Sequence, residues 1–489
     1  MASRPSPPSD VRRSSMSSTR LAAAPRPVVP AGLIIGSLLV LALTVVSGAP
    51  PRIAAVALIL ATFAALLSRS GYISWRASIA GLILIILFIP IRRYTLPVNL
   101  PFQLEPYRIY VALLLLGGLA SLLVDRRTRL RRTGFEGPLT LIVVSVFASI
   151  AANPGAVARL SSDVNKKLMF FLSFVLIFYL LASVIRQLAD IDYLTKMLVG
   201  GGAVVAFFAL IEARFGFNVF NHLSRVVPFL HGGTIAGPEY IRFRTNKLRV
   251  FASAEHPIAL SAALVVLIPL AIYLAHRYRQ RRWALAAFLL GIACASTVSR
   301  TGILMLAVVA IVFLLLRPKE TRRLWWALLP ALAVVHFAVP GTLGAIRHSF
   351  SPPGGLVAEQ KASAHSSGSG RIADLGPALK IWQRKPLAGQ GYGTQVVNLN
   401  KPGVEANVFD DQWLGTLLET GALGFVGWLW FFVRAIRRFG GEAKRDPSPR
   451  GWLLTAITAS VAAYAVGMLT YDAFSFIQVT FLLFILVAM

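Results

Sequence analysis

The sequence predicts an all-α, polytopic integral membrane bundle, on three observations. Of 489 residues, 56% are hydrophobic and only 14% carry charge. The apolar residues gather into runs of roughly 16–20, each about long enough to cross a ~30 Å hydrocarbon core as a helix. The short loops between runs are basic on alternate sides. A transmembrane β-barrel would instead show alternating strands of roughly ten residues, and none are present.

Taken in order, the spans fall near 30–48, 52–68, 77–91, 107–124, 138–152, 168–186, 195–213, 257–275, 283–298, 301–316, 324–340, 412–433, 452–470 and 473–489. That is fourteen, in a range of 12–14, because 77–91 and 138–152 are short and the last pair lie close together. Residues 1–29 are rich in Ser, Pro and Arg without an aromatic residue, and read as a disordered cytoplasmic tail. Pro50 and Pro51 follow the small residues Ser47 to Ala49 and make a poor cleavage site, so the first run reads as a retained span. With the N-terminus inside, "DRRTRLRR" (125–132), "HRYRQRR" (276–282), "RPKETRR" (317–323) and "RAIRRFGGEAKR" (434–445) share one side, which the positive-inside rule makes cytoplasmic. The long connections 214–256 and 341–411, with the shorter 92–106, then face out. The expected organisation is a tail (1–29), an N-terminal bundle (30–248), a core (249–439) containing the loop 341–411, and C-terminal helices (440–489).

Several function classes drop out. Cys294 is the lone cysteine, so neither an intramolecular disulfide nor a cysteine metal cluster is available. "GQGYG" (389–393) lacks the strand-to-helix context of a phosphate-cradling loop and reads as a turn. No soluble domain faces the cytoplasm, and neither nucleic acid nor a cofactor is called for. The net charge of +29 is mostly orientation, but a modest positive excess remains on the outer face. It fits either anionic headgroups or an anionic substrate.

The outer segments carry the candidate chemistry. In "GPEYIRFRTNKLRVFASAEHPIAL" (237–260), Arg242, Arg244, Lys247 and Arg249 interleave with apolar residues. Ser253 is a candidate cap for the next helix, with Pro257 in its first turn. His256 sits at that helix mouth, where a satisfied structural role is the plainer reading. In "ASTVSRTGIL" (295–304), Arg300 either snorkels to the interface or clamps phosphate with its planar fork of donors. From Arg371 to Lys385, Ile372, Leu375, Leu379 and Trp382 form one apolar stripe, an amphipathic helix that Pro386 ends. Asp410 and Asp411 precede the span 412–433, where capping explains one carboxylate but does not require two. Glu419, about two turns into that span, is either a functional buried acid or, the favoured reading, the partner of an outer arginine that holds the site open.

The stretches "RVFASAEHPIAL" (249–260), "STVSRTGIL" (296–304), "GRIADLGPALKIWQRKPLAGQGYGT" (370–394) and "DDQWLGTLLETGALGF" (410–425) resemble, in order, the signatures of the O-antigen ligase and polysaccharide polymerase superfamily. The Pro-Leu-x-Gly-x-Gly turn and the Leu-x-x-Leu-x-Glu-x-Gly helix start are the specific part of the match. The resemblance implies a membrane glycosyltransferase of GT-C type in a bacterial cytoplasmic membrane. Its active site would face out, its donor would be a glycan on undecaprenyl diphosphate, and its acceptor a glycan or glycolipid. It implies that Arg249 and Arg300 hold the diphosphate, and with Arg242 or Arg244 beside them the departing charge can be stabilised without a metal. The family usually places a His-Asn pair where this chain has Asp410 and Asp411, which makes Asp410 the expected base. One carboxylate acting in one displacement implies inversion. Ligase and polymerase are not separable here. A transporter of the same lipid is a third reading, although the span centres are nearly uncharged.

Overall fold

The computed structural model describes residues 74–96, 104–124, 129–185, 187–227, 230–232, 243–244, 247–323, 325–351, 355, 371–395 and 411–489, all within one compact unit. Among them the chain is almost wholly helical. The helices are α1 (Trp75–Phe88), α2 (Pro106–Val124), α3 (Glu136–Ala152), α4 (Pro154–Arg159), α5 (Ser161–Val184), α6 (Leu188–Phe215), α7 (Pro257–Tyr278), α8 (Arg281–Ser296), α9 (Arg300–Leu316), α10 (Pro318–Arg323), α11 (Trp325–Ala338), α12 (Thr342–Phe350), α13 (Arg371–Trp382), α14 (Gln412–Arg445), α15 (Pro449–Gly467) and α16 (Ile477–Ala488). Strands are confined to two-residue pairs. β1 (Tyr94–Thr95) pairs with β2 (His231–Gly232), and β3 (Phe243–Arg244) with β4 (Lys247–Leu248), both antiparallel.

Every expected span from 77–91 onward coincides with a helix, while 30–48, 52–68 and the tail 1–29 lie outside the described residues. Five described helices, α2, α5, α6, α7 and α14, are long and apolar enough to cross a membrane. Two spans begin earlier than their apolar runs, α5 at Ser161 and α6 at Leu188. Their first turns carry polar residues, which a hydropathy window passes over. The cap of α7 is His256, whose Nδ1 accepts from the Ile258 N–H at 3.1 Å. Ser253 was the expected cap, but Pro257 occupies the first helical position and fixes the cap one residue before it.

α7 packs against α8 and α15, and α14 against α3 and α15. Large side chains such as Leu119, Phe147, Met169, Phe207, Leu315 and Phe337 point outward, as a bundle bathed in lipid requires. α16 is buried all round. Its 12 residues cover about 18 Å, short of a ~30 Å core.

The basic loops converge at one end of the bundle. Arg438 donates to the Thr133 carbonyl. Arg317 Nη2 donates to Ala443 O at 2.9 Å and to Asp446 O at 2.6 Å. The His276 ring stacks on Trp452 with centroids 3.8 Å apart. The Arg131 N–H reaches Ser183 Oγ, at the C-terminal end of α5, at 3.5 Å. The N-terminal ends of α5 and α14 therefore lie at the opposite end, and there the helices enclose a cavity.

Candidate functional site

The site begins with a broken helix. At Gly421, φ is 65° and ψ is −164°, so α14 is interrupted one residue after the Glu419-Thr420 pair. A break leaves carbonyls and N–H groups without helical partners, and at membrane depth these must be satisfied by protein. The turn 386–390 supplies the partners. The Gln390 N–H donates to Leu418 O at 2.8 Å, the Ala422 N–H to Pro386 O at 2.8 Å, and the Leu423 N–H to Leu387 O at 3.4 Å. The approach leaves no room for side chains. A Cβ on Gly421 would sit 2.2 Å from Leu387 O, and one on Gly389 would sit 2.6 Å from Leu418 O. The two signature motifs are thus halves of one interlocked backbone joint.

Polar side chains from α3 brace the joint. Asn153 Nδ2 donates to Gly389 O at 3.0 Å and to Ser149 O at 2.8 Å. Lys385 Nζ reaches Asn153 Oδ1 at 2.5 Å, and Ser149 Oγ donates to Glu419 O. The Glu419 carboxylate is held from α5. Its Oε1 lies 2.8 Å from Lys167 Nζ, which also donates to Gln395 O at 2.9 Å. The expected cation partner was an outer arginine. Lys167 takes that place because α5 begins a full turn and more before its apolar run.

A cavity of about 540 Å³ lies above this pair, walled by α5, the first half of α14, the stretch 472–476 and Arg92. It is charged with both signs. Arg92, Lys166 and Lys167 face Asp163, Asp411, Glu419 and Asp472. Phe170, Phe171, Phe174, Tyr392, Trp428 and Phe474 supply aromatic faces. Burial, reinforced by the negative charges of Glu419 and Asp472, pushes the Tyr392 phenol well above its ordinary range. It therefore stays protonated and serves as a donor.

Two expected site residues line the cavity: Asp411 and Glu419. Asp411 caps α14, its Oδ1 accepting from the N–H groups of Trp413 at 2.8 Å and Leu414 at 3.1 Å. Asp410 and Arg242 lie outside the described residues, as do 352–354, 356–370 and 396–410 of the outer loop. Arg244 is on β3, opposite Lys247. Arg249 is buried, and its Nε donates to Thr297 O at 3.2 Å. That bond brings it to the turn from which Arg300 starts α9, so the two expected phosphate ligands share one neighbourhood, although neither lines the cavity wall. His256 stands one layer behind, its ring stacked 5.8 Å from Phe476, which does line it.

Sequence reasoning missed Arg92, Asp163, Lys166, Lys167 and Asp472. A signal for three of them was present. In "SSDVNKKLMFF", Asp163, Lys166 and Lys167 sit at i, i+3 and i+4, one helical face leading straight into an apolar run. Among the described residues no group of three or more His, Cys, Asp or Glu side chains is placed to hold a metal ion.

Residues 285–429 match the family described as O-antigen ligase. That segment is similar to the O-antigen ligase family. The match takes in Arg300, both halves of the joint, Asp411 and Glu419, while Arg249 and the α5 wall of the cavity lie outside it. Lys167 and Arg92 line the same cavity from outside the matched segment. No curated protein matches the chain.

Proposed function

We propose that this O-antigen ligase-type protein is an inverting membrane glycosyltransferase. It moves a glycan from a polyprenyl diphosphate donor to an acceptor hydroxyl, on the extracytoplasmic side of a bacterial cytoplasmic membrane. The observation that carries the reading is the cavity. Carboxylates, cations and aromatic faces meet there in a space of about 540 Å³, at the end of the bundle opposite the basic loops. Aromatic rings suit the apolar faces of sugars. Cations suit the charge that gathers on a departing diphosphate.

In this reading Asp410 takes the proton from the acceptor hydroxyl. The new C–O bond forms at the anomeric carbon as the bond to the diphosphate oxygen breaks. Asp411, already engaged in capping, positions the loop that carries Asp410. Arg249 and Arg300, with Arg242 and Arg244, stabilise the leaving group. Glu419 and His256 support the cavity wall, and the segment 351–411 covers the cleft. The chemistry asks for no metal, because the leaving group is good and the cations are already protein-borne.

The test is an assay of purified protein with lipid diphosphate glycans, with and without candidate acceptors. Transfer that requires an acceptor, survives a chelator and is abolished by Asp410→Asn supports the proposal. Full activity of Asp410→Asn refutes the base. Activity lost to chelator and restored by Mg²⁺ refutes metal independence. Product that forms only when a second lipid-linked glycan is present makes the protein a polymerase.

A further inference from the structure

Arg249 and Arg300 each stand beside strained backbone. Ala252, three residues after Arg249, has φ of 42°, and Val298, two before Arg300, has φ of 48°. Non-glycine residues seldom adopt this left-handed backbone, and a β-branched valine still less. Such backbone persists only where its surroundings over-determine it. Arg249 Nε donates to Thr297 O at 3.2 Å, so the arginine itself joins the two turns.

The surroundings of Ala252 are a buried polar cage built from distant segments. Glu212, in the last turn of α6, is 1% exposed. Its Oε2 accepts from the N–H groups of Phe251 at 3.3 Å and Ala252 at 2.7 Å. The Ala252 carbonyl accepts from Arg93 Nη1 at 2.9 Å and from Asn218 Nδ2 at 3.1 Å. Arg93, also buried, donates to Ala254 O and to Asn221 Oδ1 at 3.0 Å. Its guanidinium lies 4.5 Å from the centre of the Phe251 ring. Arg93 is held in turn by its neighbour Arg92, whose φ is 65° and whose N–H donates to Glu105 Oε2 at 2.8 Å. Buried backbone outside regular structure needs partners, and neutral ones would satisfy it. Here the partners include two charges of opposite sign that attract each other. Charge-assisted bonds are shorter and stronger than neutral ones, and so hold the turn to a narrower geometry. Glu212, Arg93 and Asn218 all lie outside the segment 285–429, and none of them lines the cavity.

We propose that Glu212 and Arg93 are positioning residues: by pinning the turn 251–254 they set the direction in which Arg249 reaches toward the Arg300 turn. The catalytic consequence rests on the reading of Arg249 as a partner of the departing diphosphate. The test has two arms, both on the detergent-purified full chain. In the first, amide hydrogen exchange across 249–256 is followed without substrate. Glu212→Ala should speed exchange at Phe251 and Ala252 about tenfold or more, as loss of hydrogen bonds to a charged group does. Glu212→Gln keeps an acceptor oxygen without the charge and should fall between Glu212→Ala and the parent. In the second arm, transfer from a lipid diphosphate glycan to a glycan acceptor is measured per folded molecule. Glu212→Ala should lower kcat roughly ten- to a hundredfold, the cost of a small misplacement. Donor KM should change little, because charge on the leaving group develops only in the transition state. In an Arg249→Lys background the same substitution should lower kcat little further, since residues that act through one another are not additive. A merely structural role would give a loss that adds in full, and that outcome overturns the proposal. Unchanged exchange in Glu212→Ala overturns it too, whether or not the parent turns over. If Glu212→Ala does not fold, Arg93→Lys, which keeps the charge but loses the planar fork of donors, carries both arms with the same expected directions. A parent without transferase activity, with exchange in the variants faster as expected, would count against the proposed function alone.

Discussion

Lys167 Nζ lies 2.8 Å from Glu419 Oε1, and this pair ties α5 to α14 two residues before the helix breaks. The Glu419 side chain is only 10% exposed and that of Lys167 32%. The same ammonium donates to Gln395 O, the last described residue before the segment that leads to Asp410. One side chain therefore fixes a cavity acid, the broken helix and the base of the outer loop together.

Replacing Lys167 by Met should leave the Glu419 carboxylate poorly hydrated and uncompensated. Removing one partner of a fully buried pair costs about 3–5 kcal/mol. The partial exposure of Lys167 lowers the expectation to roughly 1–3 kcal/mol. Thermal unfolding in detergent should show the loss, and Lys167→Arg should recover most of it by keeping the charge. Transfer activity should fall further than stability does. A Lys167→Met protein that melts and turns over like the parent would show that the pair organises nothing.

The backbone joint makes a sharper prediction. Gly421 combines a φ of 65° with a prospective Cβ contact of 2.2 Å to a carbonyl oxygen. A backbone atom cannot swing aside as a flexible side chain can. Gly421→Ala should cost roughly 3 kcal/mol or more, combining strain with displacement of the turn. Gly200→Ala, in α6 with nothing within 4 Å of the added methyl, is the control and should be neutral or slightly stabilising. Equal folded yield and melting of the two variants would mean that the joint does not constrain the helix.

These residues show what the sequence could convey. Span positions were legible because an apolar run of the right length has few other solutions in a membrane, and the amphipathic α13 because its stripe repeats at helical spacing. The two glycine motifs were visible as motifs, but their meaning lay in pairing across some thirty residues, which local periodicity does not encode. The Glu419 partner was read as an arginine because Lys167 sits in a polar helix start that hydropathy assigned to a loop. Arg92 was hidden for a related reason. What marks it is a backbone angle and a contact to Glu255 on a distant segment, and composition reports neither.

Asp411 offers a separation of structure from chemistry. Its Oδ1 accepts two backbone N–H groups at the start of α14. Asp411→Ala should lose the cap at about 1 kcal/mol, while Asp411→Asn keeps an acceptor oxygen and should melt within a few tenths of the parent. If Asp410 is the proton acceptor, Asp411→Asn should retain most transfer activity and Asp410→Asn almost none. The reverse pattern of initial rates would move the base to Asp411.

Glu255 gives the cavity a pH dependence. Its carboxyl contacts Arg92 at 2.9 Å with the side chain 9% exposed, and its Oε1 is buried without a hydrogen-bond partner. Burial raises its pKa from 4.5 to about 7, the nearby Glu105 adding to the rise and the charges of Arg92 and Arg93 opposing it. An acid whose pKa is raised by folding holds its proton in the folded state at pH values where the unfolded chain has released it. The resulting stabilisation is fully present below about pH 4.5, declines as pH rises, and is gone above about pH 7. At 1.36 kcal/mol per pKa unit the swing is roughly 3 kcal/mol. Glu255→Gln cannot release a proton, so the melting-temperature difference between variant and parent should grow in the variant's favour from pH 5 to pH 8. The same titration acts on Arg92. Below about pH 7 a neutral Glu255 no longer forms an ion pair with the guanidinium. A melting offset between variant and parent that stays constant across this range would remove Glu255 from the pH dependence of stability.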